Sequence, residues 1–522
     1  MVERRALPAP DPFSYTSQAG PPAYPGEERI RYFNLTHEWL AQALWYLIYR
    51  AGGFPGVVLF KALLLLGFCA VSGLLAARRS GSWIWGLAAA GATASVACWF
   101  RADRPALITF LLVAVFVWII ERDRNLWLLP VLSLVWANSH GGFFLGSVIA
   151  GAYAAAATID RRLGRPGPEP RRLWLIALLC VAASGLNPSH FWVPQILAGY
   201  RRSYLTQTLI EWSQPHLWGP PYAFNVLLYA AAATLAAAWR RVRIVDWLLF
   251  VAFATASLLA FRNLPLTGFL APILIASYFP WRLESRLSGR AASWAESAAA
   301  LAAAIILLGG AAQDRFFQLR VAWWKFPAGA ADFIEARGIS GPLFNSYEFG
   351  GYLIWRLGPR HQVFIDGRAL NESVFRDYQQ IMGSARASRQ TLARYRIGAI
   401  ATNAIEATSG VVYPLVLALA EPSETDWQLV YEDPQALVFL RRPPPEVPVL
   451  SKTRVADHLE AECRLQVAKD PELSLCARTL GYLFLRAGEA ERARRSFALY
   501  LAHLPAPDPQ AESVYRTLLR AR

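Results

Sequence analysis

Residues 101–122 read RADRPALITFLLVAVFVWIIER, an unbroken apolar run with arginines at both ends. A run of this kind belongs to a protein core or to a bilayer, and the rest of the chain decides between them. Of the 522 residues, 55% are hydrophobic, only 17% are charged, and 20 are tryptophan. A soluble chain of this length could not hide so much apolar surface in ordinary cores. Apolar segments fall at roughly 55–76, 82–99, 105–120, 126–137, 142–158, 173–185, 222–239, 246–261, 264–279 and 295–312. A full span takes about 20 apolar residues, fewer where the helix is broken or its flanks snorkel. The pattern therefore predicts a membrane α-helical bundle of about ten transmembrane helices. The net charge of +15 would suggest nucleic acid in a soluble protein. Here the arginines gather beside the apolar runs, so topology accounts for them and no nucleic-acid partner is expected.

Their distribution sets the sidedness. Loops after odd-numbered segments hold Arg78, Arg79, Arg122, Arg124, Arg161, Arg162, Arg165, Arg171, Arg172, Arg240, Arg241, Arg243, Arg282, Arg286 and Arg290. The other loops hold Arg101, Arg104, Arg201, Arg202 and Arg262, a ratio of fifteen to five. The arginine-rich loops are expected in the cytoplasm. It follows that residues 1–54, the loop 186–221 and everything after 312 lie on the outer face. Lys61, inside the first span, can snorkel to the nearer interface.

The N-terminal segment, 1–54, contains THEWLAQALWYLIYR at 36–50, an apolar run too short to cross a bilayer. Trp39, Leu40, Ala43, Leu44, Leu47 and Ile48 recur at helical spacing, and Thr36 can cap the start. This predicts an amphipathic helix lying in the outer interface. No signal peptide precedes it. An outer N-terminus therefore implies a further transmembrane helix upstream of Met1.

Beyond the polytopic domain, 55–312, the composition becomes mixed. Residues 313–442 are expected to form a small α/β domain. ADFIEARG and EFGGYLIWRL read as helices, and PLFNS, HQVFID and IGAIATN as short strands. WQLVYEDPQALVFLRR reads as a hairpin turning at Asp433-Pro434. A Pro-rich linker, 443–454, follows. The tail, 455–522, places Leu480, Gly481, Gly488, Ala493, Phe497 and Pro505 at the offsets of one tetratricopeptide repeat of about 34 residues. Such a tail could dock a protein partner. Of the five cysteines, Cys69, Cys98 and Cys180 fall inside spans, while Cys463 and Cys476 could meet in an oxidising compartment.

No Walker loop, GxGxxG, zinc cluster or nucleophile elbow is present. The chemical signal is a set of polar groups at the outer ends of the spans: Asp11, His37, Glu38, Arg101, Asp103, Arg104, Asn138, His140, His190, Glu211, His216, Arg262 and Asn263. Each also has a plain structural reading. Asp11 before Pro12 suits a turn, Glu38 favours a helix dipole, and Arg101 and Arg104 can anchor a span in the headgroups. Their convergence on one face favours a site. An acid there can activate an acceptor or bind a divalent metal. The interfacial arginines can hold a lipid-linked phosphate. In the α/β domain, FIDGR brings Asp366 and Arg368 to the end of a strand, where they face an acceptor or merely make a turn.

PAPDPFSYT (8–16), THEWLAQALWYLIY, RADRPALITFLLVAVFVWIIER, LWLLPVLSLVWANSHGGFFLGSVI (126–149), NPSHFW, EWSQP and GPLFNSYEFGGYLIWRLGPRHQVFIDGR (341–368) carry a resemblance over nearly the whole chain to about residue 442. The sequence resembles bacterial polytopic membrane proteins related to the GT-C superfold glycosyltransferases, the protein mannosyltransferase-like and aminoarabinose-transferase-like enzymes. The resemblance implies sugar transfer from a polyprenyl-phosphate donor to a cell-envelope acceptor, at the outer face of the bacterial inner membrane. Asp11 takes the position of the catalytic acid in the first outer loop, with Glu38 as a second acid; Glu38 and His140 would position groups. Arg104 or Arg262 would contact the phosphate, with Arg101, Asn138, Glu211, Asp366 and Arg368 as further substrate-binding candidates. The chain departs from the group in lacking the first helix and in reducing a double-acid motif to Asp11. A contrasting reading is a non-enzymatic scaffold for envelope polysaccharide assembly that docks partners through its tail.

Overall fold

A computed structural model of the chain describes residues 6–200, 202–279, 321–368, 370–383, 385–503 and 507–520, with isolated positions between 294 and 319. The tenth expected apolar segment, 295–312, and Arg201, Arg282, Arg286, Arg290 and Pro505 lie outside these stretches. The protein is mostly helical with one small sheet, and it divides into two compact units. One contains the helices of residues 28–279. In the other, Ala9–Glu27 folds with the chain after Ala322, so the expected N-terminal segment 1–54 is shared between the two units.

The first unit starts with α1 (Glu27–Thr36) and α2 (Trp39–Ser80). Gly53 interrupts α2 at φ 58°, ψ −155°, a conformation that costs a glycine little. Pro55 then sits in the first turn of the second half, where its missing N–H is no loss. The break falls where the sequence predicts an interfacial helix to end and the first span to begin. After α2 come α3 (Trp83–Ala97), α4 (Ala106–Glu121), α5 (Leu128–Ala137), α6 (Phe144–Arg162) and α7 (Pro170–Ser184). The loop that follows holds two short helices, α8 (Val193–Tyr200) and α9 (Tyr204–Thr208). The unit continues with α10 (Tyr222–Ala237), α11 (Ile244–Leu259) and α12 (Leu264–Tyr278). Each of the first nine expected apolar segments is thus helical.

By length and composition, Glu27–Ser80, Trp83–Phe100 and Gly141–Arg162 can cross a membrane; α4, α5, α10 and α11 are shorter apolar helices. Leu63, Leu66, Leu178 and Val226 are 63–64% exposed on the outside of the bundle, which suits lipid rather than water. Inside, Phe68 packs on Phe110 and Phe269 at ring distances of 5.7 and 5.4 Å. A Cβ on Gly73 would stand 2.8 Å from the Gly86 carbonyl, so α2 and α3 cross backbone to backbone. At one end of the bundle, Arg79 donates to Glu121 at 2.8 Å and to Asp246 at 3.1 Å. Arg243 joins both carboxylates at 2.8 and 3.0 Å. Tyr153 and Tyr278 complete the network through Glu121 (2.6 Å) and Asp246 (2.5 Å). Two arginines that the sequence presents as topology markers therefore also clasp helix ends.

In the second unit the sheet order is β1 (Leu343–Asn345), β2 (Ala399–Thr402), β4 (Ala436–Arg441), β3 (Trp427–Asp433). β1 and β2 are parallel and the other pairs antiparallel, and β3 and β4 form the hairpin expected at Asp433-Pro434. The expected strand HQVFID does not join the sheet. It runs extended beside β1, where the Asn345 side chain does the work of a ladder, accepting from Phe364 N and donating to Ile365 O, both at 2.8 Å. Its other edge pairs with the N-terminal segment, Val363 N donating to Phe13 O at 2.9 Å. Helices at Glu372–Gly383, Ala385–Arg394 and Pro414–Ala420 were not expected from the sequence.

The tail is four helices: Thr453–Lys469, Leu475–Arg486, Ala490–Ala502 and Pro509–Arg520. A Cβ on Gly481 would meet the Phe497 ring at 2.8 Å, so these two residues set the crossing of the middle pair. A Cys463–Cys476 disulfide joins the first two helices.

Candidate functional site

The site in the first unit forms where helix ends meet. Glu38 is the residue before α2, in the two-residue joint that follows α1. Asn138 fixes that joint. Its Oδ1 accepts from Trp39 Nε1 at 2.7 Å, and its Nδ2 donates to the Leu134 and Leu186 carbonyls at 2.9 Å each. Its own carbonyl accepts from Leu40 N at 3.0 Å. Asn138 therefore ties α2, α5 and the segment after α7 together, and its polar side-chain atoms are committed to that task.

Two histidines flank Glu38. His37 Nε2 lies 3.4 Å from Glu38 Oε1, and His140 Nε2 lies 3.9 Å from the same oxygen. His37 stacks on Phe33 at 4.2 Å, and its Nδ1 is bound to the Phe33 carbonyl at 2.6 Å. His140, at the turn between α5 and α6, is buried. Its Nδ1 receives the Gly142 N–H at 3.1 Å and contacts Thr109 Oγ1 at 2.7 Å. Trp136 Nε1 donates to the same hydroxyl at 2.7 Å. A Cβ on Gly142 would stand 2.9 Å from Thr109 and 3.2 Å from His140 Nδ1. Only glycine lets that N–H come so close.

A basic flank belongs to the same unit. Arg262, at the tight joint between α11 and α12, lies over the Trp212 ring at 4.6 Å and 4.0 Å from Glu211. Its charge is near enough to act on both Glu38 and His140. Arg104 binds Glu211 at 2.6 Å. Asp103 takes Lys61 Nζ at 2.8 Å, so Lys61 reaches an acid rather than only the headgroups. Arg101, His190 and His216 are exposed.

The remaining candidates come together in the second unit. Arg368 donates to both oxygens of Asp11, each at 3.0 Å, and to both oxygens of Asp366, each at 2.7 Å. The Asp11 side chain is wholly buried and also accepts from Phe13 N at 3.2 Å. Burial works against the Arg368 charge, but Asp366 first and Asp11 next hold its guanidinium above the ordinary arginine range. Asp11, Asp366 and Arg368 thus form one ion cluster that docks residues 9–27 beside the extended segment 363–366.

Among the described residues, no group of three or more His, Cys, Asp or Glu side chains could hold a metal ion. No protein-family model matches the chain, and no curated protein sequence matches it. Among solved structures, the archaeal oligosaccharyltransferase AglB from Archaeoglobus fulgidus, in complex with an inhibitory peptide and a dolichol-phosphate, matches at a TM-score of 0.47 and 9% identity. The alignment covers 81% of this chain and 70% of that one. A likeness at that level carries no argument about chemistry.

Sequence reading misses Thr109 and Trp136, which lie inside apolar runs and carry no local mark. His37, one of the polar groups at the outer span ends, is the nearer of the two histidines to the Glu38 carboxylate. The HE pair that opens α2 is the signal for it.

Proposed function

We propose that the first unit is the catalytic domain of a membrane glycosyltransferase of GT-C type, with Glu38 as its general base and a polyprenyl-phosphate sugar as donor. One observation carries this reading: a carboxylate at a helix joint, flanked by two histidines and under the charge of Arg262, in a bundle with an apolar exterior. In the reaction an acceptor hydroxyl oxygen attacks the anomeric carbon and its proton passes to Glu38. The bond from that carbon to the phosphate oxygen breaks, and the electron pair leaves with the polyprenyl phosphate. Arg262 and Arg104 are suited to the phosphate, being cationic and anchored by Glu211. Both Asp11 oxygens are taken by Arg368, so we assign Asp11 to holding the N-terminal segment and the base role to Glu38.

The proposed side of the membrane is the outer one. The arginine distribution supports it, and so does the Cys463–Cys476 disulfide, since such bonds persist in oxidising compartments. Reconstituted into proteoliposomes with a polyprenyl-phosphate sugar and an envelope acceptor, Glu38→Gln should lower turnover by about 10²–10⁴-fold. Membrane insertion should be unchanged. Wild-type turnover in that variant would remove Glu38 from the chemistry.

The tail supports a second reading, that of a scaffold. Leu475 and Leu485 lie exposed on its helices at 40% and 39%, and the offsets of a tetratricopeptide repeat fit a docking role. Loss of a co-purifying envelope protein on deletion of 455–522, with no transferase activity in the intact chain, would favour it.

A further inference from the structure

The two histidines beside Glu38 are wired in opposite senses, and the wiring can be read from their backbone partners. A carbonyl oxygen only accepts, so His37 Nδ1, 2.6 Å from Phe33 O, must carry a proton. A backbone N–H only donates, so His140 Nδ1, 3.1 Å from Gly142 N, must present its lone pair. Thr109 agrees with this. Its hydroxyl oxygen accepts the Trp136 N–H, and its own proton can be given to His140 Nδ1 at 2.7 Å. A neutral His140 must then bear its proton on Nε2, the nitrogen 3.9 Å from Glu38 Oε1. A neutral His37 would instead turn a lone pair on Nε2 toward the same oxygen at 3.4 Å. With both rings neutral, His140 is then the one that can donate to the carboxylate.

We propose that Thr109, oriented by Trp136, is a positioning residue that, together with the Gly142 N–H, locks His140 in its Nε2–H tautomer. Glu38 thereby faces one fixed donor, His140. The assignment rests on the proposed transferase reading for its use. There the fixed His140 N–H aims the carboxylate, and Glu38 takes the acceptor's proton. The group is otherwise faced by the Arg262 charge.

The test is magnetic resonance of isotope-labelled histidine nitrogens in the full-length protein in lipid nanodiscs, with His140→Asn identifying the His140 signals. The wild type and Thr109→Ser should show His140 unprotonated at Nδ1 and protonated at Nε2. Thr109→Val would strand the Trp136 N–H, so it is made together with Trp136→Phe. With only the longer Gly142 contact left to hold Nδ1, that double variant should give a mixture of tautomers. It should also show an altered pH profile and a turnover about tenfold lower with KM little changed, which Thr109→Ser restores. A His140 protonated at Nδ1 in the wild type overturns the proposal. So does a double variant whose tautomer and pH profile match the wild type. The expected tautomers in a protein that transfers no sugar would uphold the assignment and sink the transferase reading alone.

Discussion

The ion cluster at Arg368 separates two roles for Asp11 that the sequence leaves open. If Asp11 is a clamp, Asp11→Asn in the full-length chain should loosen residues 9–27 where they dock on 363–366. Asparagine keeps one acceptor but turns an amide toward a guanidinium that also donates, so one of two charge-assisted bonds at 3.0 Å is lost. Hydrogen bonds to charged groups are worth about 1.5–3 kcal/mol. Asp366 remains as counter-charge, which puts the expected cost at about 2–3 kcal/mol. Arg368→Gln is more severe, at about 3–5 kcal/mol, because it strands two buried carboxylates together. In the double variant those carboxylates no longer repel, so the losses should not add; a coupling of about 1.5–3 kcal/mol is expected. A chain of two units does not unfold as one. The assay is therefore local: hydrogen exchange at Val363, whose N–H bonds to Phe13 O. A coupling below about 0.5 kcal/mol would refute the clamp. So would an Asp11→Asn protein that exchanges like the wild type yet transfers no sugar, since Asp11 would then be chemical rather than structural.

Neighbouring glycines give a sharper steric contrast. A Cβ on Gly350 would stand 2.2 Å from the Ile365 carbonyl and 2.7 Å from the Asp366 Cβ, whereas nothing lies within 4 Å of one on Gly351. Gly350→Ala should cost about 3 kcal/mol or more through overpacking and should displace Asp366. Gly351→Ala should gain up to about 1 kcal/mol from helix propensity. Equal effects on hydrogen exchange at Val363, next to this contact, would contradict this packing. In the tail, burial alone would raise the Glu460 pKa, but hydrogen bonds from Arg492 and Arg464 bring it below the ordinary glutamate value. A depressed carboxylate contributes stability above its unfolded pKa and loses it as pH falls through the folded one. Arg492→Ala should therefore increase proteolysis of 475–502 at neutral pH. The difference from wild type should shrink on acidification below the usual glutamate range; a difference that widens there would count against the pairing.

What the sequence discloses here follows the range over which its signals act. Apolar runs mark the helices because burial along a helix is a local property, and Asp433-Pro434 marks the β3–β4 turn for the same reason. HQVFID reads as a strand because its short apolar run, Val363 to Ile365, is real and buried. Its ladder partner, however, is the Asn345 side chain, and nothing in its own residues reveals that. The helix at Glu372–Gly383 is legible but overlooked, for Val374, Phe375, Tyr378, Ile381 and Met382 recur at the spacing of one helical face. Glu38, His140 and Arg262 are legible as polar groups at apolar boundaries. The pairing of Asp11 with Arg368, 357 residues apart, has no sequence mark at all. Thr109 and Trp136 are hidden because a hydroxyl and an indole within an apolar run look like ordinary packing.

The bundle holds two sets of ionisable groups, and their contrast bears on which one reacts. Around Arg79 and Arg243, two cations meet two carboxylates and two tyrosine hydroxyls, with contacts of 2.5–3.1 Å. Each acid there has short partners on more than one helix, and the charges cancel. Such a network resists rearrangement and gains nothing from a ligand, so its effect is to hold helix ends in register. Glu38 stands differently. Its nearest ring nitrogens lie at 3.4 and 3.9 Å, too long for strong hydrogen bonds. Its side chain remains 23% exposed. Fixing those rings takes a Phe33 carbonyl, a Gly142 amide, a threonine and a tryptophan, while the carboxylate they surround has no short side-chain partner among the described residues. A protein that needed Glu38 only to start α2 would not require that support. A carboxylate that must receive a proton from an incoming hydroxyl would, because its partners must neither quench it beforehand nor drift once it has reacted.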